Sequence, residues 1–147
     1  MNEQIALIAD IHGNTWALDA VLLDIKRRGI TTILNLGDCV YGSLDPAGTL
    51  NRLMSADIIS IAGNQDREVF DETEAVRSSR DHQFVTGRLS EAQLGWLDRL
   101  PPTQVVGHVF LCHGTPQSEY DLSNRACYAA RRVSARIGAN MCSYSCR

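Results

Sequence analysis

Short apolar runs punctuate this chain, and each one ends at a polar turn. Residues 4–9, 32–36, 57–62, 103–106 and 109–112 are rich in Ile, Leu and Val and are bounded by Gly, Pro, Asn or Asp. Runs of that length and setting are the pattern of buried strands. Between the first two lies a helical period over residues 15–28, where Trp16, Ala20 and Leu23, with Val21, Leu22 and Ile25, form a broad apolar face. Asn14 suits its N-cap and Gly29 its stop. Such a strand–helix–strand unit predicts a parallel pair joined by a right-handed crossover. Pro46 suits the first turn of a second helix reaching about Met54. Residues 66–81 are charged and weakly periodic, and are read as helix. Ser90 and Gln93 have capping-box spacing, which predicts a helix over 90–100 stopped by Pro101 and Pro102. Gly107–His108 separates the last two runs as a hairpin turn. Residues 124–136 fit a basic helix, and the final residues show no period.

At 147 residues the chain fits one domain with a sizeable core. No apolar run approaches the roughly 18–20 residues of a membrane span, and MNEQ is not the start of a signal peptide. A cytoplasmic protein without a membrane partner is therefore expected. Five cysteines is an odd number with no framework spacing. Cys39 and Cys112 read as small buried hydrophobes, and Cys142 and Cys146 are too isolated for a zinc site. Charge is uneven: residues 1–120 carry 9 basic and 16 acidic side chains, whereas residues 121–147 carry 5 basic and 1 acidic. The acidic body argues against nucleic acid as a stable partner. The basic tail either contacts nucleic acid or is no evolved surface at all. A homo-oligomer is left open.

The candidate chemistry lies where the apolar runs stop. Asp10 and His12 follow the first, Asp38 the second, Asn64 the third and His113 the last. If these ends share one edge of a parallel sheet, two carboxylates, two imidazoles and one amide meet there. Such an oxygen and nitrogen set suits Mn, Zn, Fe or Mg, and two such ions a few ångström apart form a clamp on phosphate. Taken singly the pieces are weak. A lone D-x-H is a solvated turn roughly ten times out of eleven, Asp38 fits an Asx turn, and Gly63–Asn64 is an ordinary turn dipeptide.

Together the blocks DIH (10–12), GDCVYG (37–42), GNQD (63–66) and CHGTP (112–116) resemble the calcineurin-like metallophosphoesterases, in particular their small bacterial phosphodiesterase branch. The resemblance covers residues 4–116. It implies an α/β fold, a layered α-β-β-α sandwich of the metallo-dependent phosphatase type, with the second sheet incomplete in this chain. It also implies two divalent ions (Mn, Zn, Fe or Mg), one held by Asp10, His12 and Asp38, the other by Asp38, Asn64 and His113, with Asp38 as the bridge. Asn64, Gln65 and Asp66 would be the catalytic block, and Arg67 would pair with substrate phosphate or form a surface salt bridge. The implied reaction is hydrolysis of a small phosphodiester or phosphomonoester by a hydroxide that two metals activate.

The chain departs from the family pattern twice. Gln65 stands where the family has His or Cys, and an amide cannot donate a proton at neutral pH. No G-H-x-H occurs, because His113 is the last histidine. The alternative is therefore a non-catalytic relative acting as a binding module or an inert fragment. By this reading residues 1–120 form the metallophosphoesterase domain. Residues 121–147 form an atypical basic tail, frame-shifted or otherwise truncated from about Asn124. His82 and His108 belong to no motif and are read as non-ligands, His82 in a loop within reach of substrate.

Overall fold

The computed structural model describes residues 4–115 and the backbone of residues 128–132. The elements are β1 (Ile5–Ile8), α1 (Thr15–Arg27), β2 (Thr32–Asn35), α2 (Pro46–Ser55), β3 (Ile59–Ser60), α3 (Asn64–Glu68), α4 (Glu74–Arg77), α5 (Arg80–Thr86), α6 (Glu91–Asp98), β4 (Thr103–Val106), β5 (Val109–His113) and β6 (Tyr128–Arg132). They build two three-stranded sheets. One is parallel, in the order β1-β2-β3, and the other antiparallel, in the order β4-β5-β6.

Strand alternation divides the apolar side chains between two cores. Leu34, Leu36 and Ile61 meet Leu111 between the sheets, flanked by Ile5, Ala9, Ile59, Val106 and Val109. On the other face of the parallel sheet, Leu18 of α1, Leu50 and Leu53 of α2, Val85 of α5 and Leu97 of α6 pack with Ile8, Ile11 and Val40. The described residues thus make up a mixed α/β stack of helices, parallel sheet and antiparallel sheet, the α-β-β part of the expected sandwich.

Local signals place the helices well. Asn14 accepts from the Ala17 amide at 3.0 Å and Asp45 from the Gly48 amide at 2.9 Å, so both long helices are capped. The capping box at Ser90 forms as expected, and Gln93 does more. Its Nε2 donates to the Ala47 carbonyl at 2.9 Å and to Asn51 at 2.8 Å, which ties α6 to α2.

Three expectations need correction. The buried stripe of α1 is Leu18, Leu22 and Ile25, whereas Trp16 and Leu23 are 67% and 49% exposed. Both stripes have helical spacing, so period alone could not choose between them. The helix expected over 66–81 is divided among three short helices, α3, α4 and α5. It breaks where Asp71 accepts from the Thr73 amide at 2.8 Å, an Asx turn that competes with the helix. Within the basic helix expected over 124–136, residues 128–132 instead pair antiparallel to β5. The open edge of a strand outweighs the helical preference of Ala and Arg there. The rest of that segment lies outside the described residues.

Candidate metal centre

The β1 and β2 ladder runs on into the turns that follow it. Asp10 N donates to Gly37 O at 3.0 Å, His12 N to Asp38 O at 3.0 Å and Gly13 N to Cys39 O at 2.8 Å. The DIHGN and GDCV turns therefore lie side by side at the carboxyl edge of the parallel sheet. Asp10, His12 and Asp38 have φ of 52°, 49° and 56°, and among the described residues they are the three non-glycine positions with positive φ. That conformation costs about 1–2 kcal/mol per residue, and such strain gathers at functional sites. It turns three side chains inward together: one ligand atom from each lies within 4.8 Å of the others.

Both candidate histidine ligands are held by their far nitrogen. His12 Nδ1 lies 2.8 Å from the Tyr41 carbonyl, and His113 Nδ1 lies 2.9 Å from the Leu36 carbonyl. A carbonyl only accepts, so each Nδ1 carries the hydrogen and each Nε2 faces the site. His12 Nε2 stands 3.5 Å from Asp10 Oδ1, and His113 Nε2 stands 3.5 Å from Asp38 Oδ2. Rings anchored in this way are the usual arrangement of metal-binding imidazoles. His113 does not come from the edge of the parallel sheet. It ends β5 of the antiparallel sheet and reaches the site across the inter-sheet core.

Asp38 is at the centre. It is 5% exposed, its Oδ1 accepts from the Gln65 amide at 3.0 Å, and its Oδ2 faces His113. Burial raises its pKa and Asp10 adds to the rise, against the pull of His113 and the Gln65 amide. The pKa of His12 is raised chiefly by its hydrogen bond to Asp10. A nearly buried carboxylate beside a second one is a poor place for unbalanced negative charge. A divalent cation would balance it, and the Asp–His–Asp donor set suits one.

Asp66 clasps the site from behind. Its two oxygens accept from the amides of Asp38 (2.8 Å), Cys39 (2.8 Å) and Gly63 (2.9 Å), and it is 1% exposed. Its carboxylate therefore joins the β2 turn to the start of α3 rather than facing the reaction space. The approach is close enough that a Cβ on Gly37 would strike the backbone of Gly63, and one on Gly63 would strike Asp38. Asn64 opens α3 between two residues that touch Asp38, which places it at the same edge. Gln65 Oε1 is buried without a hydrogen-bond partner. Arg67 Nη1 donates to the Ala62 carbonyl at 3.3 Å.

His82 lies on α5 rather than in a loop, buried, with Nδ1 3.1 Å from the Tyr41 hydroxyl. His108 is in the exposed hairpin turn. Cys39 and Cys112 are buried, as expected. Tyr41 is the residue that reading the sequence missed. Its carbonyl fixes His12, and the sole hint was its place inside the GDCVYG block.

Asp10, His12 and Asp38 thus form a candidate metal-ligand cluster at the strand ends of a layered α/β fold. The chain belongs to the calcineurin-like phosphoesterase family, whose model matches residues 4–137. It is similar to a metallophosphoesterase from Sphaerobacter thermophilus, at 32% identity and a TM-score of 0.65, over 78% of this chain and 48% of that one. The fold is also that of the protein PH1004 from Pyrococcus horikoshii OT3, at 19% identity and a TM-score of 0.60, over 80% of this chain and 58% of that one. An uncharacterized protein, MJ0912, of Methanocaldococcus jannaschii is 42% identical over 66 residues, 45% of this chain and 27% of its own length. The chain thus spans between about a quarter and three fifths of these relatives. Among the described residues no helix is long and apolar enough to cross a membrane.

Proposed function

We propose that this chain hydrolyses small phosphate esters, phosphodiesters with good leaving groups in particular, using two divalent cations. The observation that carries this reading is the convergence of Asp10, His12 and Asp38 within 4.8 Å on strained backbone. In the proposal these three hold one cation, and Asp38, Asn64 and His113 hold the other. Bound divalent cations would supply Lewis acidity toward phosphoryl oxygens and lower the pKa of water.

The chain's own residues do the rest. The Tyr41 and Leu36 carbonyls keep the two imidazoles turned with Nε2 inward. Asp66 fixes the distance between the Asp38 turn and α3, and is a positioning residue rather than a proton donor. The Gln65 side chain can donate a hydrogen bond to a phosphoryl oxygen but cannot protonate the leaving oxygen. Acidic leaving groups, which depart without a proton, are therefore the best substrates.

The test is hydrolysis of bis(4-nitrophenyl) phosphate with added Mn, with and without excess chelator. Turnover that survives the chelator would sink the metal-dependent reading. A second reading is a binding module without turnover, favoured by Gln65, an amide that cannot donate a proton to a leaving oxygen. Tight metal binding in calorimetry with no hydrolysis of any ester would select it.

A further inference from the structure

The Tyr41 carbonyl that holds His12 Nδ1 lies on backbone with little hold of its own. Gly13 pins the chain on either side of it: Gly13 N donates to Cys39 O, and Asp45 N donates to Gly13 O, both at 2.8 Å. Between those bonds residues 40–44 are irregular, and among the described residues they make no backbone-to-backbone hydrogen bond. The stretch nevertheless lies hard against His12, since a Cβ on Gly42 would strike the His12 carbonyl. A carbonyl in such a segment points where the side chains of the segment direct it. Val40 is fully buried in the helical core, and Tyr41 packs against that core. The far end of Tyr41 is held by His82, whose Nδ1 lies 3.1 Å from the hydroxyl.

His82 is a firm post. It is buried on α5, where the N-cap Ser79 accepts from the His82 amide at 3.1 Å and Thr86 Oγ1 donates to the His82 carbonyl at 2.8 Å. Val85, three residues on, is fully buried in the helical core. A phenol keeps its proton at neutral pH, so Tyr41 donates and His82 Nδ1 accepts. Removing either partner leaves the other a desolvated polar group, which makes the bond costly to lose. The line from His82 Nδ1 through the Tyr41 hydroxyl and the Tyr41 carbonyl to His12 Nδ1 therefore ties the helical layer to the candidate metal centre. The anchor of His113 is set differently. Leu36, whose carbonyl bonds His113 Nδ1, has its own amide bonded to Ile8 O at 2.9 Å in continuation of the parallel ladder.

Resting on the reading of Asp10, His12 and Asp38 as a metal site, we infer that His82 is a positioning residue for His12, acting through Tyr41. The test uses the whole chain, first without metal and at a pH above the imidazole range, with the histidine ring nitrogens followed by NMR. In wild type both His12 and His113 should carry the hydrogen on Nδ1. Tyr41→Phe and His82→Leu should each move His12 toward a mixture of tautomers and leave His113 as it is. Mn titrated into the same variants should bind several-fold more weakly, short of the about 10–100-fold that losing a direct partner of a ligand costs. The double variant should bind no more weakly than the worse single one, as two partners in one bond require. His82→Asn, whose Oδ1 takes the place of Nδ1 and accepts as it does, should restore both readouts. An unmoved His12 in both single variants, an equal change at His113, or an Asn variant as defective as the Leu one would overturn the inference. If His82→Leu fails to fold, Tyr41→Phe and His82→Asn still decide: the first must move His12 and the second must not. The two readings fail separately. Mn binding without hydrolysis of bis(4-nitrophenyl) phosphate by wild type overturns the phosphoesterase reading alone, and an unmoved His12 in chains that hydrolyse the ester overturns the role of His82 alone. Wild type that binds no Mn overturns the metal reading and this inference with it.

Discussion

The two halves of the candidate centre are built by different means. Asp10, His12 and Asp38 come from two adjacent parallel strands whose ladder continues through their turns, and the backbone itself is bent to bring them together. His113 comes from the other sheet on ordinary strand backbone, and reaches Asp38 because the two sheets pack through Leu34, Leu36, Ile61 and Leu111. The first half is a local device inside one sheet. The second depends on tertiary docking, so a weakened sheet interface should damage it first.

The largest effect is expected where the halves meet. Asp38→Asn removes the carboxylate that faces His113 and neighbours the Asp10–His12 pair. Its loss should exceed the 10–100-fold that outer partners of metal ligands typically cost. Metal-dependent hydrolysis near wild-type rate in this variant would show that the two halves do not share Asp38.

Leu111→Ala tests the docking. Leu111 is fully buried between the sheets, so the substitution should cost about 2–5 kcal/mol in denaturant unfolding. Leu50→Ala, fully buried under the helices, should cost a similar amount. At temperatures where both variants remain folded, the Leu111 variant should lose more metal affinity than the Leu50 variant. Equal losses would mean that His113 is not held by the sheet interface.

A smaller contrast separates the histidines themselves. His12→Ala and His113→Ala each remove one imidazole. The second also strips a buried carbonyl, Leu36 O, of a donor, for which the expected cost is about 1–3 kcal/mol. The Tyr41 carbonyl bonded by His12 is at a half-buried, wetter place. Thermal unfolding in chelator should therefore rank His113→Ala as the less stable variant, and the reverse order would refute this account.

Reading the sequence found what is local. The strand ends, the caps at Asn14 and Ser90, and the four blocks in order were legible because each signal lies within a few residues. The buried face of α1 was not, because two stripes share one period and only the sheet beneath selects Leu18 over Trp16. The roles of Tyr41 and Asp66 were not legible either. Both act through backbone groups: Tyr41 lends a carbonyl, and Asp66 gathers three amides, two of them 27 and 28 residues back along the chain. No side-chain pattern announces such contacts. The strand at 128–132 formed where a helix was expected, because an open edge on β5 is a property of the fold and not of that segment.

Asp66 supplies the finest test of how the first half is braced. Burial lifts its pKa to about 6, while its backbone hydrogen bonds from Gly63 and Cys39 pull the other way. With the folded pKa above the unfolded one, the group adds stability that is fully present below about pH 4 and is lost as pH rises to about 6. The slope is about 1.4 kcal/mol for each pKa unit of difference. Asp66→Asn lacks the titration and also turns amide hydrogens toward backbone N–H donors, so it is destabilised throughout. In chelator, the stability gap between wild type and Asp66→Asn should narrow as pH rises from about 4 to about 6. Acid should therefore widen the gap, contrary to the behaviour of an ordinary salt-bridged aspartate, whose contribution acid removes. A gap that instead widens with rising pH would mean that the three backbone donors outweigh burial and hold Asp66 ionised. The clasp on the Asp38 turn would then be an electrostatic one, strongest at the neutral pH where the metal ligands must also be free of protons.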